Sequence, residues 1–355
     1  MRCSIRSRGS CAPKSSAQAG DALAKRRSAA HSGEDRLIAR YFKPIARHPG
    51  ALGLVDDAAS FTPPPGHDLV LTADAIVGGV HFFADDPADA IARKALRVNL
   101  SDLVAKGAKP AGFLVSLALP KSAGDSWLKA FARGLKADAE RYECPLLGGD
   151  TVRTPGPLMV SVAAFGTLPE GAMVRRTGAR IGDRVFVTGT IGDAALGLKL
   201  RDTASKRWKL SPKMRKHLAT RYLVPEPRSA LATAVRNHAT AAMDVSDGLA
   251  GDLAKLCRAS GIAAEIEVGC VPLSPAARAA LAADPKLIET IFGGGDDYEI
   301  VCTVRPTAID TFQAAAEAAG VPVTEIGRIV RGSGADFLRP DGKPIKFARA
   351  SFSHF

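Results

Sequence analysis

Residues 88–107 read ADAIARKALRVNLSDLVAKG and predict a helix that lies between two strands. Leu96, Leu100 and Leu103 are spaced i, i+4 and i+7, which places them on one face of a helix that would pack against a sheet. Gly107 follows directly, and glycine is common just beyond a helix C-terminus because it adopts positive φ easily. We therefore predict a helix over residues 88–106 with an apolar face.

A second face of the same helix carries polar residues. Asn99, Asp102 and Lys106 are spaced i, i+3 and i+7, so Asn99 and Asp102 would point together into a site. A solvated helix surface explains this spacing equally well. The helix alone does not separate the two interpretations.

Strands and helices are predicted in alternation on both sides of this helix. The predicted strands are 69–77, 113–119, 158–166, 184–188, 241–245 and 298–304. The further predicted helices are 34–47, 125–142, 193–200, 249–259 and 308–319. A segment rich in Gly, Arg and Pro, residues 169–183, separates two groups of elements. We predict an N-terminal α/β domain over 33–168 and a second domain over 169–355.

The composition is that of an ordinary globular protein. The chain has 355 residues, 46% of them hydrophobic, which is enough for two domains with cores of their own. No segment approaches the roughly 18 consecutive apolar residues of a membrane helix, so we expect no membrane association. Six cysteines show no Cys-x-x-Cys and no metal spacing, which predicts reduced thiols and a cytoplasmic protein.

Half of the net charge of +12 lies in residues 1–32, which hold seven Lys or Arg and one acid. We predict that these residues form a disordered basic tail, or that the start codon was set too far upstream. An organelle transit peptide would have a similar Arg/Ser/Ala-rich composition. The other basic residues are scattered, without interleaved aromatics, so we expect no nucleic-acid partner.

Short acidic clusters beside glycines or small hydroxyl residues are the strongest functional signal. They read VDD (55–57), TAD (72–74), NLSD (99–102), GGDT (148–151), DVSDG (244–248) and GGGDDYE (293–299). Carboxylates in such groups suit hard cations, which bind several oxygens at once. Several magnesium ions in one site usually indicate phosphate chemistry.

Each cluster also has a structural explanation. Ser246 or Asp247 could cap the helix that begins at Leu249, although a cap explains one of these groups and not both acids of the cluster. The stretch 148–150 is typical of a tight turn. His81 lies near a strand end, where a lone histidine is more often structural than functional.

The common nucleotide-binding motifs are absent from the sequence. It contains no Gly-x-x-x-x-Gly-Lys-Ser/Thr loop and no His-Arg-Asp kinase loop. Phosphoryl transfer in this chain would therefore use neither of these two designs.

Taken in order, the motifs resemble those of the thiamine-monophosphate kinases. The resemblance runs from about residue 33 to residue 355 and rests on DAIVGGVHF (74–82), VNLSDL (98–103), GGDT (148–151), TGTIGD (188–193), DVSDGL (244–249) and GGDDYE (294–299). It implies the fold of aminoimidazole-ribonucleotide synthetase: an N-terminal α/β domain, a C-terminal α+β domain, and a homodimer formed through the N-terminal sheets. It also implies magnesium-assisted transfer of the γ-phosphoryl group of ATP to thiamine monophosphate, the last step of thiamine diphosphate biosynthesis.

The resemblance also implies roles for individual residues. The implied magnesium ligands are Asp56, Thr72, Asp74, Asp102, Asp150, Asp244 and Asp247, and the catalytic residues among them are Asp102, Asp150 and Asp244. The implied ATP contacts are Gly149, Asp150, Arg176 and Ser246. The implied contacts with thiamine monophosphate are His81 and Asp296, and we expect Phe352, or alternatively Phe347, to supply the aromatic contact with the thiamine ring.

Five positions depart from the family pattern: Val55, Ala73, Lys106, Asp296 and Arg349. Val55 replaces a glycine, and Ala73 replaces a hydroxyl residue. Lys106 replaces a methionine. Its amine either pairs with the carboxylate of Asp102, one helical turn earlier, or points away from it. Asp296 is shorter than the usual Glu, and Arg349 stands where an aromatic residue often covers the thiamine ring.

Two alternatives follow from these departures and from the shared fold. One is a weakly active paralogue that binds nucleotide and metal. The other is a different ATP-using synthetase of the same fold. A selenophosphate synthetase would carry a reactive cysteine near its N-terminal glycine loop, and Cys3 and Cys11 lie outside any such loop.

Overall fold

The computed structural model describes residues 33–347 and 351–352, so the predicted tail over 1–32 and Arg349 lie outside the described residues. The strands, in chain order, are β1 His67–Val77, β2 Lys109–Leu119, β3 Leu146–Arg153, β4 Met159–Pro169, β5 Arg184–Thr188, β6 Ala239–Val245, β7 Ala263–Glu267, β8 Glu299–Val304, β9 Val323–Val330 and β10 Gly334–Leu338. The α-helices are α1 Gly33–Leu37, α2 Ala88–Ala105, α3 Asp125–Arg141, α4 Asp193–Lys199, α5 Pro212–Leu223, α6 Ala232–His238, α7 Leu249–Ser260, α8 Pro275–Ala283, α9 Leu287–Gly293 and α10 Ile309–Ala318.

The first sheet has four strands in the order β1-β4-β2-β3. β4 is antiparallel to both β1 and β2, whereas β2 and β3 are parallel. Helices α2 and α3 pack on one face, where the predicted core residues Leu96, Leu100 and Leu103 are fully buried. The predicted helix over 88–106 and its apolar face are confirmed.

The opposite face of the first sheet is covered only in part, where Phe61 packs on Phe165. It exposes four large apolar side chains, Leu69, Leu71, Leu114 and Val152, which come from β1, β2 and β3. Large apolar side chains exposed on one face of a sheet are typical of a face that packs against another molecule. We call this surface, defined by these four residues, the open face.

The second sheet has six strands in the order β10-β7-β9-β5-β8-β6. All neighbouring pairs are antiparallel except β7 and β10. Helix α7 packs on one face through Leu253 and Leu256, and helices α6 and α10 pack on the other through Val235 and Phe312. These two sheets confirm the predicted α/β plus α+β class.

Helix α2 is buried between the two sheets. Its Ser101 hydroxyl donates to the Tyr298 carbonyl at 3.4 Å, and the Lys106 amine donates to the Ala242 carbonyl at 2.7 Å. Asn99 is fully buried and accepts a hydrogen bond from the Asp74 amide. The interpretation of a solvated polar face is therefore wrong, because the C-terminal sheet covers it.

The predicted helix over 34–47 is wrong in its second half. The α-helix ends at Leu37, and a single π turn, Ile38–Phe42, completes it. Pro44 follows at once, and proline lacks the N–H that a continuing helix needs. No helix in the described part of the chain is long and apolar enough to cross a membrane.

The sequence does not predict strand β3, and its glycines are the reason, because glycine disfavours strands. The stretch 148–150 lies inside this strand, so its interpretation as a tight turn is wrong. Gly149 has a φ of +157°, and a Cβ at this position would lie 1.8 Å from the Val115 carbonyl oxygen. The glycine is required because β3 approaches β2 closely.

Candidate active site between the two sheets

A cavity of about 390 Å³ lies between the two sheets, and we call it the interdomain cavity. Strand β1 and helix α2 supply the carboxylates of Asp74 and Asp102, and the end of β6 supplies those of Asp244 and Asp247. Further predicted site residues line the same cavity: His81, Arg176, Ser246, Asp296 and Phe352. The structure therefore brings most of the predicted site together.

The carboxylates of Asp74 and Asp102 lie close together in this cavity. The Thr72 hydroxyl donates to Asp102 Oδ2 at 2.6 Å, which ties the predicted ligand Thr72 to the same group. Burial, together with the adjacent Asp102 carboxylate, raises the pKa of Asp74 to about 6. A positive charge nearby would favour the ionised form of this carboxyl.

Asp244 faces the same group from the other domain. It is buried, and burial followed by the charges of Asp102 and Asp252 raises its pKa well above the usual range. A positive charge nearby would relieve the repulsion between these carboxylates. Carboxylates from both domains are thus placed where a cation would stabilise their ionised forms.

Asp247 has its own cationic partner. Its carboxylate accepts from Lys255 Nζ at 2.5 Å, and its backbone N–H donates to Asp252 at 2.8 Å. The N-cap residue of α7, directly before Leu249, is Gly248, and no side chain caps this helix. The capping interpretation of Ser246 and Asp247 is therefore wrong.

The donor set of the interdomain cavity fits a hard cation in its chemistry. Its anionic ligands are the carboxylates of four aspartates, and oxygen donors are what magnesium prefers. Across the described residues, no three His, Cys, Asp or Glu side chains converge closely enough to hold a metal ion as they stand. The carboxylates would have to move together, or bind through water, to hold magnesium.

Lys106 adopts the second of its two predicted orientations. Its amine donates to the Ala242 carbonyl rather than to a carboxylate. Burial, with the nearby Arg176 charge, lowers the pKa of this amine to about 8. Lys106 thus brings a buried, partly discharged amine to the edge of the carboxylate group.

Two predicted metal ligands lie in a different cavity of about 580 Å³, which we call the N-terminal cavity. Asp56, Gly149 and Asp150 line it, beside apolar walls formed by Phe42, Leu54, Phe61, Leu114 and Phe165. The predicted ATP contacts are therefore divided, since Arg176 and Ser246 line the interdomain cavity. The seven predicted metal ligands fall into two groups within one chain.

The first sheet explains this division. Ser116 pairs with Asp150 on one side and with Ser161 on the other, and Ser161 pairs with Ala75. Cross-strand neighbours share a face, so Asp150 points to the same side as Ala75 and to the opposite side from Asp74. β1 and β3 are also opposite edges of the sheet, roughly 14 Å apart at about 4.8 Å per strand.

The same alternation accounts for one departure from the family pattern. Ala73 precedes Asp74, so its side chain points to the open face and away from the interdomain cavity. The alanine therefore removes no side-chain oxygen from that cavity. Val55 is exposed beside Asp56, on the side of the N-terminal cavity.

The predicted substrate residues His81, Asp296 and Phe352 all line the interdomain cavity. His81 Nδ1 accepts a hydrogen bond from the Val77 amide at 3.0 Å, which fixes the imidazole ring next to β1. Phe352 lines the cavity and is partly exposed at 42%. Its backbone N–H donates to the Asp247 carbonyl at 3.0 Å, which holds the chain end against the site.

Sequence reasoning misses Lys94. Its amine donates to Asp296 at 2.8 Å and to the His81 carbonyl at 3.1 Å, and thus touches two predicted substrate residues. One signal could have found it: Lys94 lies between Ile91 and Val98 at helical spacing, on the apolar side of α2. A lysine in such a position requires a buried partner.

Two further acids of the last cluster have structural partners. Asp297 is buried and accepts from the Gly192 amide at 2.7 Å, at the start of α4. Glu299 forms ion pairs with Arg221 and Arg228. These two acids hold the C-terminal domain together and lie outside the lining of the interdomain cavity.

Comparison with family models gives the class of protein. Residues 55–168 match the N-terminal domain of the AIR synthase related proteins, and residues 180–338 match their C-terminal domain. The chain is therefore an AIR synthase related protein with both domains of that class.

Individual relatives narrow the class. The thiamine-monophosphate kinase of Caulobacter vibrioides is 46% identical over 89% of this chain and 89% of its own length. The crystal structure of thiamine-monophosphate kinase from Stenotrophomonas maltophilia K279a has 38% identity and a TM-score of 0.77, over 88% of this chain and 96% of that one. AaThiL complexed with AMPPCP and TMP has 32% identity and a TM-score of 0.71, over 86% and 97% of the two chains. This chain belongs to the thiamine-monophosphate kinase family, as its motifs predict.

Proposed function

We propose that this chain transfers the γ-phosphoryl group of ATP directly to thiamine monophosphate, forming thiamine diphosphate and ADP. The observation that carries the proposal is the interdomain cavity, where Asp102 and Asp244 from separate domains face each other beside Arg176. The related AaThiL, complexed with AMPPCP and TMP, supports a paired nucleotide and acceptor. AMPPCP is an analogue of ATP.

The acceptor phosphate does not need a general base to become nucleophilic. A phosphate monoester has a second pKa of about 6, so at neutral pH its oxygens are already ionised and nucleophilic. None of the predicted catalytic residues then needs to remove a proton. The task of the site is to bring two anionic phosphates together in line and to stabilise the charge of the transition state.

The chain supplies that stabilisation through its acids and through Arg176. Asp74, Asp102, Asp244 and Asp247, with Thr72 beside Asp102, would hold magnesium. Magnesium, when bound, would offset the repulsion between the phosphates. The Arg176 guanidinium, which lines the same cavity, would donate to phosphate oxygens from the nucleotide side.

Gly149 and Asp150 would contribute from the N-terminal cavity. Gly149 lines this cavity, and the apolar wall beside it suits a flat base such as adenine. Asp56 lines the same cavity and would act with Asp150 as a metal ligand there.

We also propose a homodimer formed through the N-terminal sheets. The open face carries Leu69, Leu71, Leu114 and Val152, which a second copy would bury. A reducing cytoplasm suits the chain as well, because Cys144, Cys257 and Cys302 are buried free thiols.

The test is product formation by the purified full chain. With magnesium, ATP and thiamine monophosphate, we expect thiamine diphosphate and ADP in equal amounts, separated by liquid chromatography. Thiamine and AMP, offered in place of thiamine monophosphate, are the acceptor controls and should give little product. Retained ATP binding without any thiamine diphosphate would contradict the kinase and favour a paralogue that only binds nucleotide and metal.

A further inference from the structure

Lys94 is an ammonium group buried at the junction of the two domains. Its side chain is only 3% exposed, and its amine reaches Asp296 Oδ2 at 2.8 Å and the His81 carbonyl oxygen at 3.1 Å. The same amine lies 4.4 Å from the centre of the Tyr222 ring. A carboxylate, a carbonyl and an aromatic face therefore surround one cation.

These partners belong to separate parts of the fold. His81 follows β1 in the first domain, whereas Tyr222 lies in α5 and Asp296 lies between α9 and β8 in the second. All three line the interdomain cavity, and Lys94 itself is absent from its lining. Lys94 thus contacts the cavity wall from behind and joins its two sides.

Burying a lysine is costly unless partners replace its water. The fold keeps this lysine where an apolar side chain would pack without that cost, so its charge has a use at this place. The Lys94 ammonium binds the carboxylate of Asp296. The Asp296 side chain is 28% exposed and lines the cavity, whereas Lys94 contacts it from the buried side.

The backbone at Asp296 is strained. Its φ is +66°, and that of Tyr298 is +51°, a region that non-glycine residues seldom adopt. The Asp296 amide donates to the Ser246 carbonyl at 2.8 Å, which attaches this loop to the DVSDG segment. Contacts from neighbouring groups therefore decide where the Asp296 carboxylate points.

We propose that Lys94 is a positioning residue for the acceptor substrate: it sets the separation and orientation of His81 and Asp296 across the domain junction. This inference rests on the proposed function, in which these two residues bind thiamine monophosphate. Lys94 acts through them and touches neither phosphate of the reaction. Its loss should weaken binding of the acceptor and leave binding of ATP intact.

The test compares Lys94→Met, which keeps the apolar stem, with the wild type. We expect the KM for thiamine monophosphate to rise about tenfold or more, while the KM for ATP changes less than about twofold. Lys109→Met is the matched control, since Lys109 is exposed and pairs with Glu143 at the surface. A purely structural role would instead raise both KM values together or lower kcat alone, and either result would overturn the proposal.

The single variant Asp296→Asn and the double variant Lys94→Met/Asp296→Asn show whether Lys94 acts through Asp296. The quantity compared is the KM for thiamine monophosphate. We expect Lys94→Met to add less than about twofold in the Asn background, because the two residues would work as one unit. Fully additive effects would contradict the proposal. If Lys94→Met does not fold, Lys94→Gln carries the same comparison of the two KM values.

Direct binding separates this inference from the function it rests on. A wild type that binds thiamine monophosphate in calorimetry but does not phosphorylate it would contradict the proposed function, and the dissociation constants of the variants would still decide the role of Lys94. A wild type that neither binds nor phosphorylates this acceptor would overturn both.

Discussion

The interdomain cavity and the N-terminal cavity hold the same residue type in opposite surroundings. In the interdomain cavity, burial and the nearby Asp102 charge raise the pKa of Asp74 and of Asp244. In the N-terminal cavity, Asp56 and Asp150 are exposed, and each accepts a hydrogen bond from the next backbone N–H. The first group is crowded by like charges and includes the buried Asp244, whereas the second is exposed to solvent.

This difference in burial predicts different roles for the two groups of carboxylates. Crowded, buried carboxylates gain most from a bound cation, so their loss should affect charge stabilisation during phosphoryl transfer. Exposed carboxylates beside an apolar wall should affect how the nucleotide is held. The predictions below test this ranking, beginning with the largest effect.

The largest effect is expected for Asp102→Asn. Asp102 accepts a hydrogen bond from Thr72, and its charge acts on both Asp74 and Asp244, so it is central to the group. We expect kcat for thiamine monophosphate phosphorylation to fall on the order of 100-fold or more. Circular dichroism should show an unchanged fold. Near-normal turnover would remove the interdomain carboxylates from the mechanism.

The second effect concerns the open face. Leu71 is 70% exposed on β1, and Leu71→Asp would place a charge inside the proposed dimer interface. We expect the dimer dissociation constant to rise about 100-fold, measured by sedimentation. Ile181→Asp, an equally drastic change at another exposed apolar side chain, should leave the dimer intact. A wild-type chain that sediments as a monomer would contradict the proposed dimer.

The third effect is expected for Asp150→Asn. If the N-terminal cavity holds the nucleotide, the KM for ATP should rise about tenfold and exceed the change in the KM for thiamine monophosphate. Asp57→Asn is the control, because Asp57 lines the same cavity without a predicted ligand role. A loss of kcat as large as that of Asp102→Asn would break the distinction between the two cavities and join them in one catalytic unit.

The smallest effect concerns stability at Lys106. In the unfolded chain this lysine keeps its proton to about pH 10.5, whereas in the folded chain it keeps it only to about pH 8. Between these values the unfolded state binds more protons, so wild-type stability should rise with pH. Lys106→Met removes a buried charge and one hydrogen bond, and should stabilise the metal-free protein by about 1 kcal/mol at pH 7.

The measurement for Lys106→Met is urea unfolding with a chelator present, at pH 7 and near pH 10. The gain over wild type should shrink at the higher pH, because the wild-type amine is then largely neutral in the folded state. A destabilised variant at pH 7, or a gain that does not depend on pH, would show that the Ala242 hydrogen bond outweighs the cost of burying the charge.

The sequence predicts the elements that carry regular apolar spacing. Helix α2, strand β1 and the turn from β6 to α7 are all confirmed. It fails where local propensity is weak, as in glycine-rich β3, and it does not identify strands β7, β9 and β10. These elements exist because their neighbours in the sheet bury them and complete their hydrogen bonds.

The sequence predicts only part of the site, because the site also depends on contacts between distant parts of the chain. The acidic motifs at Asp74 and Asp150 look alike, and nothing in either reveals that β4 and β2 lie between them. Strand order and register decide which face each carboxylate takes. Lys94 was also missed, since its partners Asp296 and Tyr222 come from distant parts of the chain.

The most direct test of the account follows the γ-phosphoryl group of labelled ATP during a single turnover, with wild type and with Asp244→Asn. The account predicts that wild type moves the label into thiamine diphosphate with no delay for an intermediate. Asp244→Asn should bind ATP yet transfer the label on the order of 100-fold more slowly. Label that appears only as inorganic phosphate, or an unchanged rate in Asp244→Asn, would contradict transfer in the interdomain cavity.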